Sequence, residues 1–258
     1  MKREGRGDPP SRPAHPLADG RGGMPDTTKR YHVQKLRDVN GLAVWIVDGN
    51  SIRRELDIDF TNFGQHHRFP FIPADEFWLD VEHHAGEDEF YIRHLLVEKR
   101  HMDRGASYAR ALAYANRAER AERLKSVKVV EFLSLPSGGS RLAQIHREPL
   151  EASGPNFRVW LVDGELVRAT NFLDFTEGGH DQVYPFVPAS EVWIDDDLVP
   201  EERPYVILHE LHERQLMAAG WKYPAAHAAA SEVESLSRRD PTALPELLRA
   251  ARLANSRG

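Results

Sequence analysis

The 258-residue chain contains no cysteine. Disulfide frameworks, thiolate nucleophiles and zinc sites built from cysteine are therefore excluded together. Any metal site in this chain must instead use histidine and carboxylate ligands. The sequence offers 13 histidines and 40 aspartates and glutamates for that purpose.

Long apolar runs and an excess of basic residues are also missing. No window of about 18 residues is apolar enough to span a membrane. The net charge of −6 and the pI near 6.1 argue against a general nucleic-acid binder. The first 28 residues are rich in glycine, proline and arginine, without the apolar segment of a secretory signal. We therefore expect a disordered tail over residues 1–28 and, by default, a cytoplasmic protein.

The most informative feature of the sequence is an internal repeat. The stretch VWIVDGNSIRRELDIDFTNFGQHHRFPFIPADEFWLD begins at Val44, and it aligns without a gap with VWLVDGELVRATNFLDFTEGGHDQVYPFVPASEVWID, which begins at Val159. The offset from residue 44 to residue 159 is 115, and it continues beyond this stretch. We interpret the chain as a tandem duplication, with an N-terminal repeat over residues 29–134 and a C-terminal repeat over residues 135–258.

Each repeat shows strand signals first and helix signals afterwards. The runs VWIVDG and VWLVDG close on Asp-Gly, which favours a hairpin. The segments FPFIP and EFWLD, like YPFVP and EVWID, predict two short strands broken by prolines. In EERPYVILHELHERQLMAAG, helical apolar spacing ends at Gly220, and Pro224 begins a second helix. The sequence therefore predicts an α+β fold of two tandem repeats, each a small antiparallel sheet followed by a two-helix unit.

Two further segments lie outside this pattern. The run VKVVEFL, between the repeats, predicts a strand, and PTALPELLRAARLAN predicts a C-terminal helix.

The C-terminal repeat places metal-type ligands on its helix pair. In HELHE, His209 and Glu213 are four residues apart, so they share one helix face with about 5–6 Å between Cβ atoms. His227 comes from the following helix, and two histidines with one glutamate leave a position open for water, as in catalytic zinc sites. We predict one Zn²⁺ per chain, or another divalent metal in its place, held by His209, Glu213 and His227. Glu210 is the predicted general base, which takes a proton from water as it attacks a carbonyl.

This ligand set resembles that of zincin metallopeptidases of the gluzincin type. In those enzymes HExxH supplies two histidine ligands and the base, and a later helix supplies a glutamate. Here HELHE supplies one histidine and one glutamate, and the later helix supplies His227. The EVWID strand and the EERPYV lead-in are similar to the edge strand before a zincin active-site helix, so the resemblance covers about residues 190–234. It implies a metallopeptidase with a peptide or protein substrate.

Three histidines near these ligands have more than one interpretation. His180 follows two glycines in DFTEGGHDQVYPF. It has either a catalytic role over the site, as a hydrogen-bond donor or a further ligand, or an exposed position in a tight turn. His212 points away from His209 and is interpreted as part of a solvated helix face. His227, in its alanine-rich helix, also suits a hydrogen-bonded core histidine.

The N-terminal repeat lacks several of these groups. At the positions equivalent to the base, the third ligand and His180 it has Leu95, Leu112 and Gln65, whereas the equivalents of the first two ligands remain. We interpret it as a degenerate pseudo-domain used for packing or for substrate binding. Its scattered further histidines are interpreted as surface residues: His66, His67, His83, His84 and His101.

Three functional hypotheses follow. The first is a zinc-dependent hydrolase, specifically a metallopeptidase, with its active site in the C-terminal repeat. The second is a non-catalytic, metal-stabilised binding or interaction module, in which His212 or Glu234 closes a four-ligand site. The third is a carboxylate-bridged di-metal redox site, which has the least support because the inward Glu-x-x-His pairs of such sites are missing.

Overall fold

The computed structural model describes residues 26–256. Most of the predicted tail therefore lies outside the described residues, and its last three residues begin a 3-10 helix, Asp26–Tyr31. The N-terminal repeat continues with β1 His32–Val39, β2 Leu42–Val47, α1 Gly49–Glu55, β3 Phe63–Gln65, β4 Glu76–Asp80, α2 Asp88–Met102 and α3 Tyr108–Arg123. The rest of the chain forms α4 Val127–Ser134, α5 Gly139–Ile145, β5 His146–Pro149, β6 Arg158–Val162, α6 Gly164–Thr170, β7 Gly178–His180, β8 Glu191–Asp195, α7 Arg203–Ala218, α8 Tyr223–Arg239 and α9 Leu244–Asn255.

The described residues form two four-stranded sheets of the same topology, which confirms the α+β fold of two tandem repeats. The strand orders are β1-β2-β4-β3 and β5-β6-β8-β7. Both sheets are mixed and not purely antiparallel, because β2 pairs with β4, and β6 with β8, in parallel. A parallel pair needs a crossover connection, and the short helices α1 and α6 lie in these two crossovers.

The Asp-Gly signal marks the start of a helix, so the predicted hairpin is wrong. Asp163 is the N-cap of α6, where its side chain accepts a hydrogen bond from the Leu166 amide at 2.9 Å, and Asp48 caps α1 in the same way. Aspartate is a favoured N-cap residue because its carboxylate satisfies an amide in the first turn. The glycine is required by packing, since a Cβ at Gly164 would overlap the carboxylate of Asp195.

Two other strand predictions are also wrong. FPFIP and YPFVP are turns, in which the Ile72 amide bonds to the Phe69 carbonyl at 2.9 Å and the Val187 amide to the Tyr184 carbonyl at 3.0 Å. Their prolines lack the donors that a strand ladder requires. The run VKVVEFL belongs to helix α4, and its side chains pack with residues of the C-terminal repeat, including Trp193.

The predicted helices at the C-terminal end are confirmed. α7 ends beside Gly220, whose φ of +93° lies in the left-handed region that glycine adopts without strain. α8 has proline in its first turn, and α9 follows a short 3-10 helix. Within residues 26–256, no helix combines the length and the apolar character that crossing a membrane requires.

Both faces of each sheet carry a hydrophobic core. On one face of the second sheet, Val192 and Ile194 pack with Leu208 and Leu211 of α7 and with residues of α9. On the other face, Trp193 packs with residues of α4 and α6, as expected when successive strand side chains point to opposite faces. The sheet therefore holds one side of α7, and the remaining side of this helix meets α8.

Buried ion pairs join the two repeats. Arg168 of α6 donates from Nε to Glu87 of the N-terminal repeat at 3.0 Å. At the equivalent position, Nη2 of Arg53 lies 3.6 Å from Oε2 of Glu202 in the C-terminal repeat. In each repeat, therefore, an arginine forms an ion pair with a glutamate of the other repeat, and that glutamate directly precedes the first long helix.

Candidate metal centre

The three predicted metal ligands converge between α7 and α8. Nε2 of His209 lies 3.2 Å from Nδ1 of His227, and this Nδ1 lies 2.8 Å from Oε2 of Glu213. Nε2 of His209 lies 3.6 Å from the same oxygen. Atoms bound to one zinc ion at about 2.0–2.1 Å in tetrahedral geometry are themselves about 3.3 Å apart. The observed spacing is therefore close to that of ligands sharing one ion.

The second ring nitrogen of His209 is held by a carboxylate. Nδ1 of His209 lies 2.9 Å from Oε2 of Glu234, and Nε of Arg238 donates to the other oxygen of Glu234 at 2.9 Å. Arg238 in turn pairs with Glu202. Glu234 is thus turned towards the outer side of the ring, in the place where metal-bound histidines usually have a carboxylate partner. From the sequence alone, Glu234 is predicted only as a ligand that closes a four-ligand site.

The carboxylates of the cluster favour positive charge. Burial alone lowers the pKa of His209, but hydrogen bonds to Glu213 and Glu234 outweigh burial and raise this pKa to about 10. Burial alone raises the pKa of Glu213, yet hydrogen bonds from His180, His209 and His227 bring it well below its usual range. An environment that holds a proton so firmly between buried carboxylates also favours a metal cation, because both stabilise the same negative charges.

His180 is buried in β7, so the expectation of an exposed histidine in a tight turn is wrong. Its Nε2 lies 3.0 Å from Oε1 of Glu213, the oxygen that faces away from His227. Atoms of His180, Glu210 and Glu213 also lie within 4.8 Å of one another. Glu213 therefore belongs to two overlapping groups of ligand-type side chains, and Glu210 is placed either to act as a base or to join the second group.

Very little space adjoins the cluster. A cavity of about 10 Å³ is lined by His209, Glu210, His227 and Ser231, and residues of the N-terminal repeat around Ile58 close its other side. This volume is about that required to hold one water molecule.

The N-terminal repeat retains the outer part of this arrangement. Nδ1 of His94 lies 2.7 Å from Oε2 of Glu119, and Arg123 donates to Glu119 at 2.8 Å. Leu95 and Leu112 replace the base and the third ligand. In the part of the chain that the structure describes, no group of three metal-type ligands forms around His94. The recurrence of the Glu119–Arg123 pair at the 115-residue offset is the sequence signal that identifies the outer role of Glu234 and Arg238.

Among residues 26–256, the remaining histidines take no part in the cluster. His212 is half-buried on α7, and burial lowers its pKa. His66 and His67 are only half-buried, although their ligand-type atoms lie within 4.8 Å of those of exposed Asp103. His83 is also half-buried and pairs with Asp88.

No family model matches the sequence, and neither the curated proteins nor the solved structures compared with it gave a match.

Proposed function

We propose that the protein is a zinc-dependent hydrolase that cleaves peptide bonds, with its active site in the C-terminal repeat. The observation that carries the proposal is the convergence of His209, Glu213 and His227, whose ligand atoms lie within 4.8 Å of one another in a buried position. A gluzincin-like metallopeptidase, with a peptide or protein as its substrate, is the specific form of this proposal.

The donor set fits zinc. Two imidazoles and one carboxylate are the ligands of several catalytic zinc sites, which keep a fourth position open. The contact between Glu234 and His209 fixes the ring so that Nε2 faces Glu213 and His227. Such outer contacts orient the ring and raise the basicity of a histidine ligand. Zn²⁺ suits the mixture of imidazole and carboxylate, and another divalent ion of similar size is the alternative.

The residues around the ligands have distinct roles in this proposal. A bound zinc ion acidifies water and polarises a carbonyl group. Glu210 lines the water-sized cavity together with His209 and His227, and in this position it accepts the proton of the attacking water. His180 orients Glu213 through the 3.0 Å contact with its Oε1.

The test compares the wild-type protein with Glu210→Gln after metal analysis by mass spectrometry. General-base catalysis contributes about 10²–10⁴-fold, so peptide cleavage in a complex peptide mixture should fall by at least about 100-fold while the metal content is unchanged. Glu232→Gln is the matched control, because Glu232 is an exposed residue on α8. An unchanged cleavage rate in metal-loaded Glu210→Gln would refute the mechanism.

A second candidate function is a non-catalytic module that a metal stabilises. The small cavity of about 10 Å³ favours it, because a substrate carbonyl needs more room than one water molecule. In that case chelation should lower the melting temperature and weaken binding to a protein partner, and no peptide should be cleaved.

Both candidate functions agree on nucleic acid and on the location of the protein in the cell. Neither requires nucleic acid, so the proposal includes no nucleic-acid partner. The proposal also includes a cytoplasmic location, which fractionation of cells producing the protein tests.

A further inference from the structure

A cavity lies between the two repeats, on the side of the N-terminal repeat that is equivalent to the candidate metal centre. Its volume is about 290 Å³, against about 10 Å³ at the metal centre. His94 and Glu98 line it, as their equivalents in the C-terminal repeat belong to the metal cluster. The same arrangement of helices and sheet therefore carries a cavity in one repeat and a cluster of ligand-type side chains in the other.

The larger volume of the cavity in the N-terminal repeat goes together with two leucines in its wall. Leu95 and Leu112 stand where the C-terminal repeat has Glu210 and His227, and both leucines line the cavity. In the C-terminal repeat, His227 of α8 contacts Glu213 of α7 at 2.8 Å. Leu112 of α3 makes no such bond. His94 of α2 still contacts Glu119 of α3 at 2.7 Å, so the outer contact between these helices is kept and the inner one, at Leu112, is lost.

The wall of the cavity is mainly apolar and comes from both repeats. A volume of about 290 Å³ is at the lower end of the range of small-molecule sites, which are concave and lined by apolar and aromatic side chains with few polar groups. The principal apolar and aromatic lining residues are Phe63, Phe69, Leu95, Tyr108, Leu112 and Phe172.

One polar atom in the wall lacks a partner. Gln65 is fully buried, and its Nε2 donates to Oε1 of Glu98 at 2.6 Å. A carboxylate only accepts hydrogen bonds, so this contact fixes which end of the amide faces Glu98. Oε1 of Gln65 is then left without a hydrogen-bond partner among the described residues. Buried acceptors are nearly always paired, and a ligand that donates an N–H or O–H group would pair this one.

The charged groups nearby have partners within the protein. Glu119 accepts from Arg123 at 2.8 Å, and Arg168 donates to Glu87 at 3.0 Å. Glu98 takes the hydrogen bond of Gln65. A charged ligand would have to compete with these contacts, whereas an uncharged ligand leaves them intact.

We propose that this cavity binds a small, uncharged, largely apolar molecule that donates one hydrogen bond to Oε1 of Gln65. Phenol and indole represent this chemical class. The site lies between the repeats, so its occupant contacts both of them. The proposal is independent of the metal centre and of hydrolytic activity.

The experiment measures binding of phenol and toluene to the full chain by ligand-observed NMR, with benzoate and benzylamine as charged comparisons. The two uncharged probes have nearly the same shape, and only phenol donates a hydrogen bond. Phenol should bind severalfold to about tenfold more tightly than toluene, and the charged probes should bind most weakly. Replacing the amide in Gln65→Met should bring phenol and toluene to equal affinity.

Two variants test the location of the site. Leu112→Trp fills the cavity, and Ala109→Trp narrows its mouth from an exposed position on α3, so at least one of them is expected to fold. Both should abolish phenol binding. Leu236→Trp is the control, because Leu236 is exposed on α8, the helix equivalent to α3. Circular dichroism and thermal unfolding verify the fold of each variant.

Three results would overturn the proposal. The first is that none of the four probes binds the wild-type chain. The second is that phenol and toluene bind equally well, which removes the role of Gln65. The third is that phenol binding persists in a folded Leu112→Trp or Ala109→Trp variant, which places the probe elsewhere.

Discussion

Oε2 of Glu234 lies 2.9 Å from Nδ1 of His209, and Oε2 of Glu119 stands in the same relation to His94 at 2.7 Å. The same contact between an imidazole and a carboxylate is therefore present in both repeats. It holds each imidazole with Nε2 turned towards the glutamate one helical turn further on, at 3.6 Å in the C-terminal repeat and 3.5 Å in the N-terminal one. The orientation of the ring is thus common to both repeats, and only the C-terminal repeat adds the third ligand.

The first prediction concerns metal content. His227→Ala should reduce the metal that copurifies with the chain to well below the one equivalent expected of the wild type, because two ligands hold an ion less firmly than three. Mass-spectrometric metal analysis measures it, with His212→Ala as the control on the neighbouring helix. Full occupancy in His227→Ala would remove this residue from the ligand set, and two equivalents in the wild type would place a second ion at His180 and Glu210.

A second prediction tests the outer carboxylate. Glu234→Gln should lower metal affinity by about 10–100-fold without removing a ligand, as outer-shell substitutions generally do. Competition with a zinc-sensitive chelating dye measures the affinity. Glu232→Gln, two residues away and exposed, should leave the affinity unchanged. Complete loss of metal in a folded Glu234→Gln would instead identify Glu234 as a direct ligand.

A third prediction uses the duplication. The double substitution Leu95→Glu and Leu112→His should give the N-terminal repeat a metal site, since His94 and Glu98 are already in place. The chain should then bind one equivalent more than the wild type. The matched control is Leu95→Gln with Leu112→Asn, which changes the polarity of both positions without adding ligands of the same kind. Absence of an additional ion in a folded double variant would show that the two helix pairs are not equivalent in geometry.

A fourth prediction concerns pH and the junction between the repeats. Burial raises the pKa of Glu82 to about 7; Arg53 opposes the shift, and the carboxylates of Asp80 and Glu202 add to it. Because the folded-state pKa is higher than the unfolded value near 4.5, Glu82 contributes stability that is fully present below about pH 4.5 and is lost as the pH rises through about 7. The stability of the wild type relative to Glu82→Gln should therefore fall across this window, by roughly 2–3 kcal/mol.

Urea unfolding at a series of pH values measures this difference. Glu89→Gln is the control, because Glu89 is an exposed acid whose side chain is 71% accessible. A difference between wild type and Glu82→Gln that stays constant from pH 4.5 to 7.5, or that grows with pH, contradicts the prediction.

Local sequence determined the helix pair and its ligand spacing. The positions of His209 and Glu213 follow from helical periodicity, which places residues four apart on one face whatever surrounds them. Gly220 ends one helix and Pro224 begins the next because of their own backbone preferences. Both helix boundaries could therefore be predicted from the sequence alone. The 115-residue offset then carried the histidine, the glutamate and the glycine over to the other repeat, as His94, Glu98 and Gly105.

Tertiary structure decided the features that depend on distant partners. The parallel pairing of β6 with β8 follows from the crossover through α6, and Asp163 caps that helix where the dipeptide alone suggested a hairpin. The contact between Glu234 and His209 joins two helices, and the cavity around Gln65 needs walls from both repeats. Sequence periodicity describes one element at a time. The packing of elements decides whether a polar atom finds a partner and whether a space is filled, because both depend on residues far apart in the chain.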